Sequence, residues 1–247
     1  MARSSKTPMS EKARMSFFAH LLELRKRIMI SIFAVVAGGI IAYIFSPWVI
    51  DWLADFYVDA SKQENAKLAQ TTVLDAFILR VKVASYGGIV LASPVWMFQL
   101  WRFITPGLAP REKKYAIPFV LSSVTLFIVG GMVALMTLTK ALGFLLNSGG
   151  VEYFQVISAS SYVSFVTLMF IGFGVSFQFP VVFLFLLLAR IINTGHLRSF
   201  RRGAILIIVI FAAIITPSAD PYSLFLMAIP MYLFYEISII IGRILKR

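Results

Sequence analysis

The side chains able to do chemistry are few. Eleven carboxylates, two histidines and no cysteine are spread over 247 residues. Without cysteine there are no disulfides, cysteine metal sites, iron–sulfur clusters or thiol nucleophiles. His20 and His196 are too few for a histidine-rich metal site or proton relay. There is no G-x-S-x-G, no H-E-x-x-H and no Walker A lysine loop. No residue is therefore assigned a catalytic, metal or cofactor role. What stands out is a handful of polar groups in an apolar chain: Glu23, Glu112, Gln178, Asp220 and Glu236.

Glu23 lies in the segment 16–27. At about 100° per residue, Phe17, Leu21, Leu24 and Ile28 fall on one stripe. Glu23 lies off it, on the side of Ser16 and Arg27. It suits either an i,i+4 pair with Arg27 or acceptance of a basic peptide at the cytoplasmic surface. Glu112 is a first-turn acid favoured by the helix dipole, or a second cytoplasmic carboxylate. Two such acids among many cations suit an arginine-rich ligand, because a guanidinium pairs with a carboxylate bidentately. Gln178, beside Pro180, either satisfies the carbonyl of residue 176 freed by the proline or docks another helix. Asp220 before Pro221 suits an N-cap with proline at N1. Glu236 is an acid at the cytoplasmic end of an apolar run, with Arg243 as candidate partner.

These groups need elements to hold them. The chain is 60% hydrophobic and 14% charged, against about 45–50% and about 25% for a soluble domain. The apolar residues come in blocks, which implies an all-α integral membrane protein. Six spans are expected, at about 28–45, 80–100, 116–139, 162–189, 204–216 and 222–241. The last two read as short. The fifth has 13 residues, about 20 Å of helix, and Pro230 breaks the sixth. A short hairpin that thins the bilayer is expected. Pro94, Pro180 and Pro230 are the structural prolines. The basic start reads as leading into a first span rather than as a cleavable leader, because its apolar run is too long and no A-x-A site ends it. Residues 1–15 read as a tail, with 1–10 disordered, and 16–245 as one domain without repeats. The stretch 51–57 reads as an interfacial helix, and Trp48, Trp52, Trp96 and Trp101 as belt residues.

The charges orient this plan. Between spans, eighteen Lys and Arg fall on one side and three on the other. The positive-inside rule places the eighteen, and both termini, in the cytoplasm. The net charge of +12 is then mostly topology, with anionic lipid as its nearest partner and no nucleic acid.

At these residues a resemblance emerges. His20-Leu-Leu-Glu-Leu-Arg-Lys-Arg27 resembles the H-L-x-E-L-R-x-R opening of TatC, the large membrane subunit of the twin-arginine protein translocase. In order follow Ser93-Pro94, Gln99-Leu-Trp-Arg-Phe-Ile-Thr-Pro-Gly-Leu108, Glu112, Phe173-Gly-Val-Ser-Phe-Gln-Phe-Pro180, Thr216-Pro217 with Asp220, and Ala228-Ile-Pro-Met-Tyr-Leu-Phe-Tyr-Glu236. The likeness runs from about residue 16 to 245. It implies a curved, cup-like arrangement of helices in a bacterial cytoplasmic (inner) membrane. It implies a receptor for twin-arginine signal peptides of folded precursors, scaffolding small single-span subunits of the TatA/TatB type and other copies of itself. Export would draw on the proton gradient, with no cofactor and no nucleotide hydrolysis by this subunit. Glu23 and Glu112 match the family's twin-arginine contacts, and Arg25, Phe103 and Leu108 the same recognition surface. Gln178, Asp220 and Glu236 match intramembrane or partner-docking positions. Gln178 is a neutral amide where the family often has glutamate, and no proline is obvious in 52–72.

Two other classes compete. A small secondary transporter predicts an internal repeat and midplane ligands, and only Gln178 is so placed. An intramembrane hydrolase would need histidine and serine motifs that are absent.

Overall fold

The computed structural model describes residues 9–61, 67–70, 72–104, 116–147, 157–216 and 221–244, with side chains from Phe18 onward. Leu108, Glu112 and Asp220 lie outside the described residues. The described residues are almost wholly helical; the one β contact is an isolated parallel bridge between Ala69 and Ser158.

Helix α1, Met9–Ile44, leads directly into α2, Ser46–Ser61. Its backbone is helical from Met9, inside the segment expected to be a tail, because no helix breaker separates Met9 from the apolar run. Helix α3, Asp75–Leu91, packs along α1 more extensively than any other helix pair meets. Small residues make that closeness possible. A Cβ on Gly88 would lie 2.6 Å from the Val35 carbonyl oxygen, and one on Gly87 would lie 2.7 Å from the Ala42 Cβ. Lipid tails are as apolar as leucine, so helices in a bilayer associate by such close approach.

At Ala92 the chain turns by 49° into α4, Ser93–Ile104. Pro94 has no N–H for the carbonyl one turn back. The Trp96 indole N–H donates to the Ile89 carbonyl across the bend at 3.0 Å. Helix α5 spans Ala116–Asn147, α6 Ala159–Ser176 and α7 Phe179–Leu188. Then come the short α8, Thr194–Ser199, α9, Arg201–Ile215, and α10, Pro221–Ile244.

Among the described residues, four helical stretches are long and apolar enough to cross a bilayer, and the bent α3–α4 pair makes a fifth. They lie in α1, α5, α6–α7 and α10. Helix α9 has 15 residues, about 22 Å, short of a core about 30 Å thick. Helix α10 differs from expectation. It runs unbroken through Pro230 for 24 residues, so only α9 of the last pair is short. Transmembrane helices tolerate proline where neighbouring groups satisfy the freed backbone.

The main core lies between α2, α3, α5, α6, α9 and α10, around buried Phe173, Met227, Met231 and Tyr235. The outer surface is apolar as well: Phe33 is 67% exposed and Leu206 62%. In water such faces would aggregate; in a bilayer they are the lipid contact. Trp101 is not a belt residue. It is buried, stacks on Phe119, and donates its indole N–H to Ser123 Oγ at 2.6 Å. Trp48 and Trp52 are exposed and stacked.

Candidate functional site

About a third of the way along, α1 meets the end of α4. His20 stacks on Phe103 with ring centroids 4.3 Å apart. Two turns further along α1, Arg27 forms a salt bridge with Glu23, its Nε donating to Glu23 Oε1 at 3.1 Å and its Nη2 to the same oxygen. Arg27 Nη1 donates to Gln99 Oε1 at 3.0 Å, tying α1 to α4. Glu23 Oε2 has no partner among the described residues. The Glu23 side chain is 38% exposed and that of Arg27 14%, so the carboxylate is reachable and the guanidinium is enclosed.

The apolar stripe of α1 is divided: Leu24 and Ile28 line a cleft against α4, while Leu21 is exposed. Arg27, on the flank of that stripe, reaches α4 through Gln99, and Glu23 beside it is part-exposed. Arg25 is exposed and, two residues from Glu23, lies on another side of the helix. Below the polar cluster, a cleft of about 490 Å³ opens between α1 and α4, lined by Leu24, Ile28, Ile32, Trp96, Leu100 and Phe103. Site-bearing Gln99 is buried and was not singled out from sequence. A lone amide in the apolar run 94–101 was the available signal.

Gln178 sits in the junction between α6 and α7. Its own N–H bonds to Val175, which leaves the Gly174 carbonyl without its usual donor. The side-chain amide fills that gap at 3.3 Å and donates to the Ser123 carbonyl of α5 at 3.0 Å. Two carbonyl partners fix the NH2 orientation. The amide thus bonds to residue 174 and α5, not to residue 176 as expected.

Glu236 also takes a different partner. Its carboxylate is bound by Arg201 at 2.6 Å and by the Tyr232 hydroxyl at 3.0 Å. Arg243, two turns along the same helix and exposed, is not that partner. The neighbouring Tyr235 hydroxyl donates to the Leu197 carbonyl at 2.6 Å, closing α10 onto α8.

A family model described as "Sec-independent protein translocase protein (TatC)" matches residues 19–230. The chain belongs to the TatC family. It is 40% identical over 242 residues to the TatC of Frankia casuarinae, covering 94% of this chain and 66% of that longer relative. The TatC of Carboxydothermus hydrogenoformans is 37% identical, with 96% of both chains covered. A crystal structure of the twin-arginine translocase receptor TatC superposes with a TM-score of 0.74 at 38% identity, covering 92% of this chain and all of that one. A second, in DDM, gives a TM-score of 0.76. The chain is therefore an all-α membrane component of a Sec-independent protein translocase and not an enzyme. The TatC match spans Glu23, Gln99, Phe103 and Gln178.

Proposed function

We propose that the chain is the signal-peptide receptor and scaffold of a twin-arginine translocase in a bacterial inner membrane. Glu23 and Glu112 receive the two guanidiniums, with Arg25, Phe103 and Leu108 completing the recognition surface. The observation that carries this reading is the part-exposed Glu23 carboxylate above the apolar cleft between α1 and α4, beside Phe103. A signal peptide carries an arginine pair followed by an apolar run. Carboxylate above apolar cleft matches that order, and charge-assisted hydrogen bonds contribute about 1.5–3 kcal/mol each.

Six spans with both termini inside belong to the same reading. Contacts gather the basic ends of the helices. His20 meets Phe103, Trp101 at the end of α4 meets Phe119 at the start of α5, and Glu236 meets Arg201. At the opposite end the Ala69–Ser158 bridge joins the first and third loops. TatA/TatB-type subunits, and other copies of this chain, dock through surfaces that include Gln178, Asp220 and Glu236, and the proton gradient drives export.

Photocrosslinking in native membranes tests the receptor role. A probe at Glu23, and separately at Glu112, is challenged with a twin-arginine signal peptide and its twin-lysine form. Crosslinks to the arginine form alone are expected at both positions. Equal crosslinking of the two forms would reduce both glutamates to capping and ion-pair roles.

A further inference from the structure

The carboxylate offered to a ligand guanidinium already holds one. Arg27 places two of its five donors on Glu23 Oε1 and a third on Gln99 Oε1. A fork-to-fork guanidinium pairing needs both carboxylate oxygens, and here Oε1 is taken. Oε2 has no partner among the described residues, and the 38% exposure of Glu23 leaves it open. Arg27 itself is 14% exposed and anchored on α4 as well as on its own helix. An exposed i,i+4 pair alone is worth little; the Gln99 bond across helices makes this one a fixed feature.

We infer that Arg27 is an internal stand-in for the ligand's guanidinium. It occupies Glu23 in the resting receptor and must release Oε1 before a signal peptide engages it bidentately. This inference rests on the proposed receptor role of Glu23. An arriving guanidinium makes first contact with Oε2 and then displaces Arg27. The resting occupant lowers apparent affinity by the fraction of receptor in which Glu23 is free. A ligand with weak or single-point contacts is thereby held off, and the carboxylate never stands uncompensated at the edge of the bilayer.

The full chain in nanodiscs is titrated with a twin-arginine signal peptide. Arg27→Gln is expected to raise affinity about three- to tenfold, the scale of one or two net hydrogen bonds. Arg27→Lys keeps the charge but cannot hold both acceptors as a fork, so its affinity should fall between wild type and Arg27→Gln. Lys26→Gln, which removes an exposed cation next to the site, controls for long-range repulsion and should give a smaller gain. In a Glu23→Gln background, Arg27→Gln should gain no more than Lys26→Gln does. A gain no larger than that of Lys26→Gln overturns the stand-in. So does the reverse order, with Arg27→Gln the weakest binder, which would make Arg27 a positioning residue for Glu23. If Glu23→Gln weakens binding while Arg27→Gln fails to strengthen it, the stand-in alone falls. If Glu23→Gln has no effect, the receptor role of Glu23 falls and the stand-in with it.

Discussion

Gln178 shows what a single neutral amide does among helices that cannot use water. It donates to one carbonyl orphaned by the α6–α7 junction and to another on α5. Gln178→Leu keeps the volume and removes both donors, leaving the carbonyls of Gly174 and Ser123 to find other partners. Interhelical hydrogen bonds in membrane proteins average about 0.6 kcal/mol. A loss of about 1 kcal/mol in thermal or denaturant unfolding in detergent is therefore expected. Association with a TatB-type subunit should weaken more than signal-peptide binding, read by co-purification and peptide titration on the same variant. Unchanged stability would show that the two bonds carry no net weight. The sequence showed that this amide needed a partner beside Pro180. It did not show which carbonyl, because that follows from the Gln178 N–H turning to Val175. The same limit explains Glu236. Arg243 lies seven residues on, about 10.5 Å along the helix, whereas Arg201 arrives through folding of a different segment. Spacing along one helix made the Glu23–Arg27 pair legible; Gln99, 72 residues from Arg27, had no local signature.

At the scale of elements, hydropathy exposed the long helices because each must satisfy its backbone internally across the bilayer. It did not show where they bend. The 49° turn at Ala92 depends on Pro94 and on how α4 leans against α1 and α5. Hydropathy also misassigned Trp101, since a tryptophan near a span end looks the same whether it meets headgroups or stacks inside on Phe119. The α1–α3 seam was hidden too, because glycines carry no hydropathy signal. That seam gives a graded test. A Cβ on Gly88 would lie 2.6 Å from the Val35 carbonyl and 2.9 Å from the Gly39 Cα, all backbone that cannot swing aside. At Gly143 the nearest atom, the Ala60 carbonyl oxygen, is 4.0 Å away. Gly88→Ala should therefore destabilise by about 1–3 kcal/mol, the cost of overpacking. Gly143→Ala should be neutral or slightly stabilising, as alanine favours helix over glycine. Thermal unfolding in one detergent compares them; equal effects would mean that the seam is looser than its distances.

At the scale of the whole molecule, the open question is which side each loop faces, and the composition supplies the means to settle it. The chain has no cysteine, so every single-cysteine variant reports one position without background. Val73, 99% exposed just ahead of α3, should react with a membrane-impermeant thiol reagent added outside. Arg198, exposed in α8, and Lys246, in the C-terminal segment, should react only after the membrane is opened. The physical basis is the asymmetry of eighteen cations against three together with the gathering of basic helix ends in space. Each cation on the wrong side must work against both the positive-inside bias and the inward-negative membrane potential. The short α9 makes Arg198 the most informative position. At about 22 Å, α9 must tilt little or draw the two faces together if it crosses at all. Arg198→Cys protected and Val73→Cys labelled would place the loop before α9 inside and the one before α3 outside, as six spans require. Labelling of Arg198→Cys from outside would mean that the count before α9 is wrong by one. The receptor role proposed for Glu23 would stand, and the docking proposed at Glu236 would move to the opposite face.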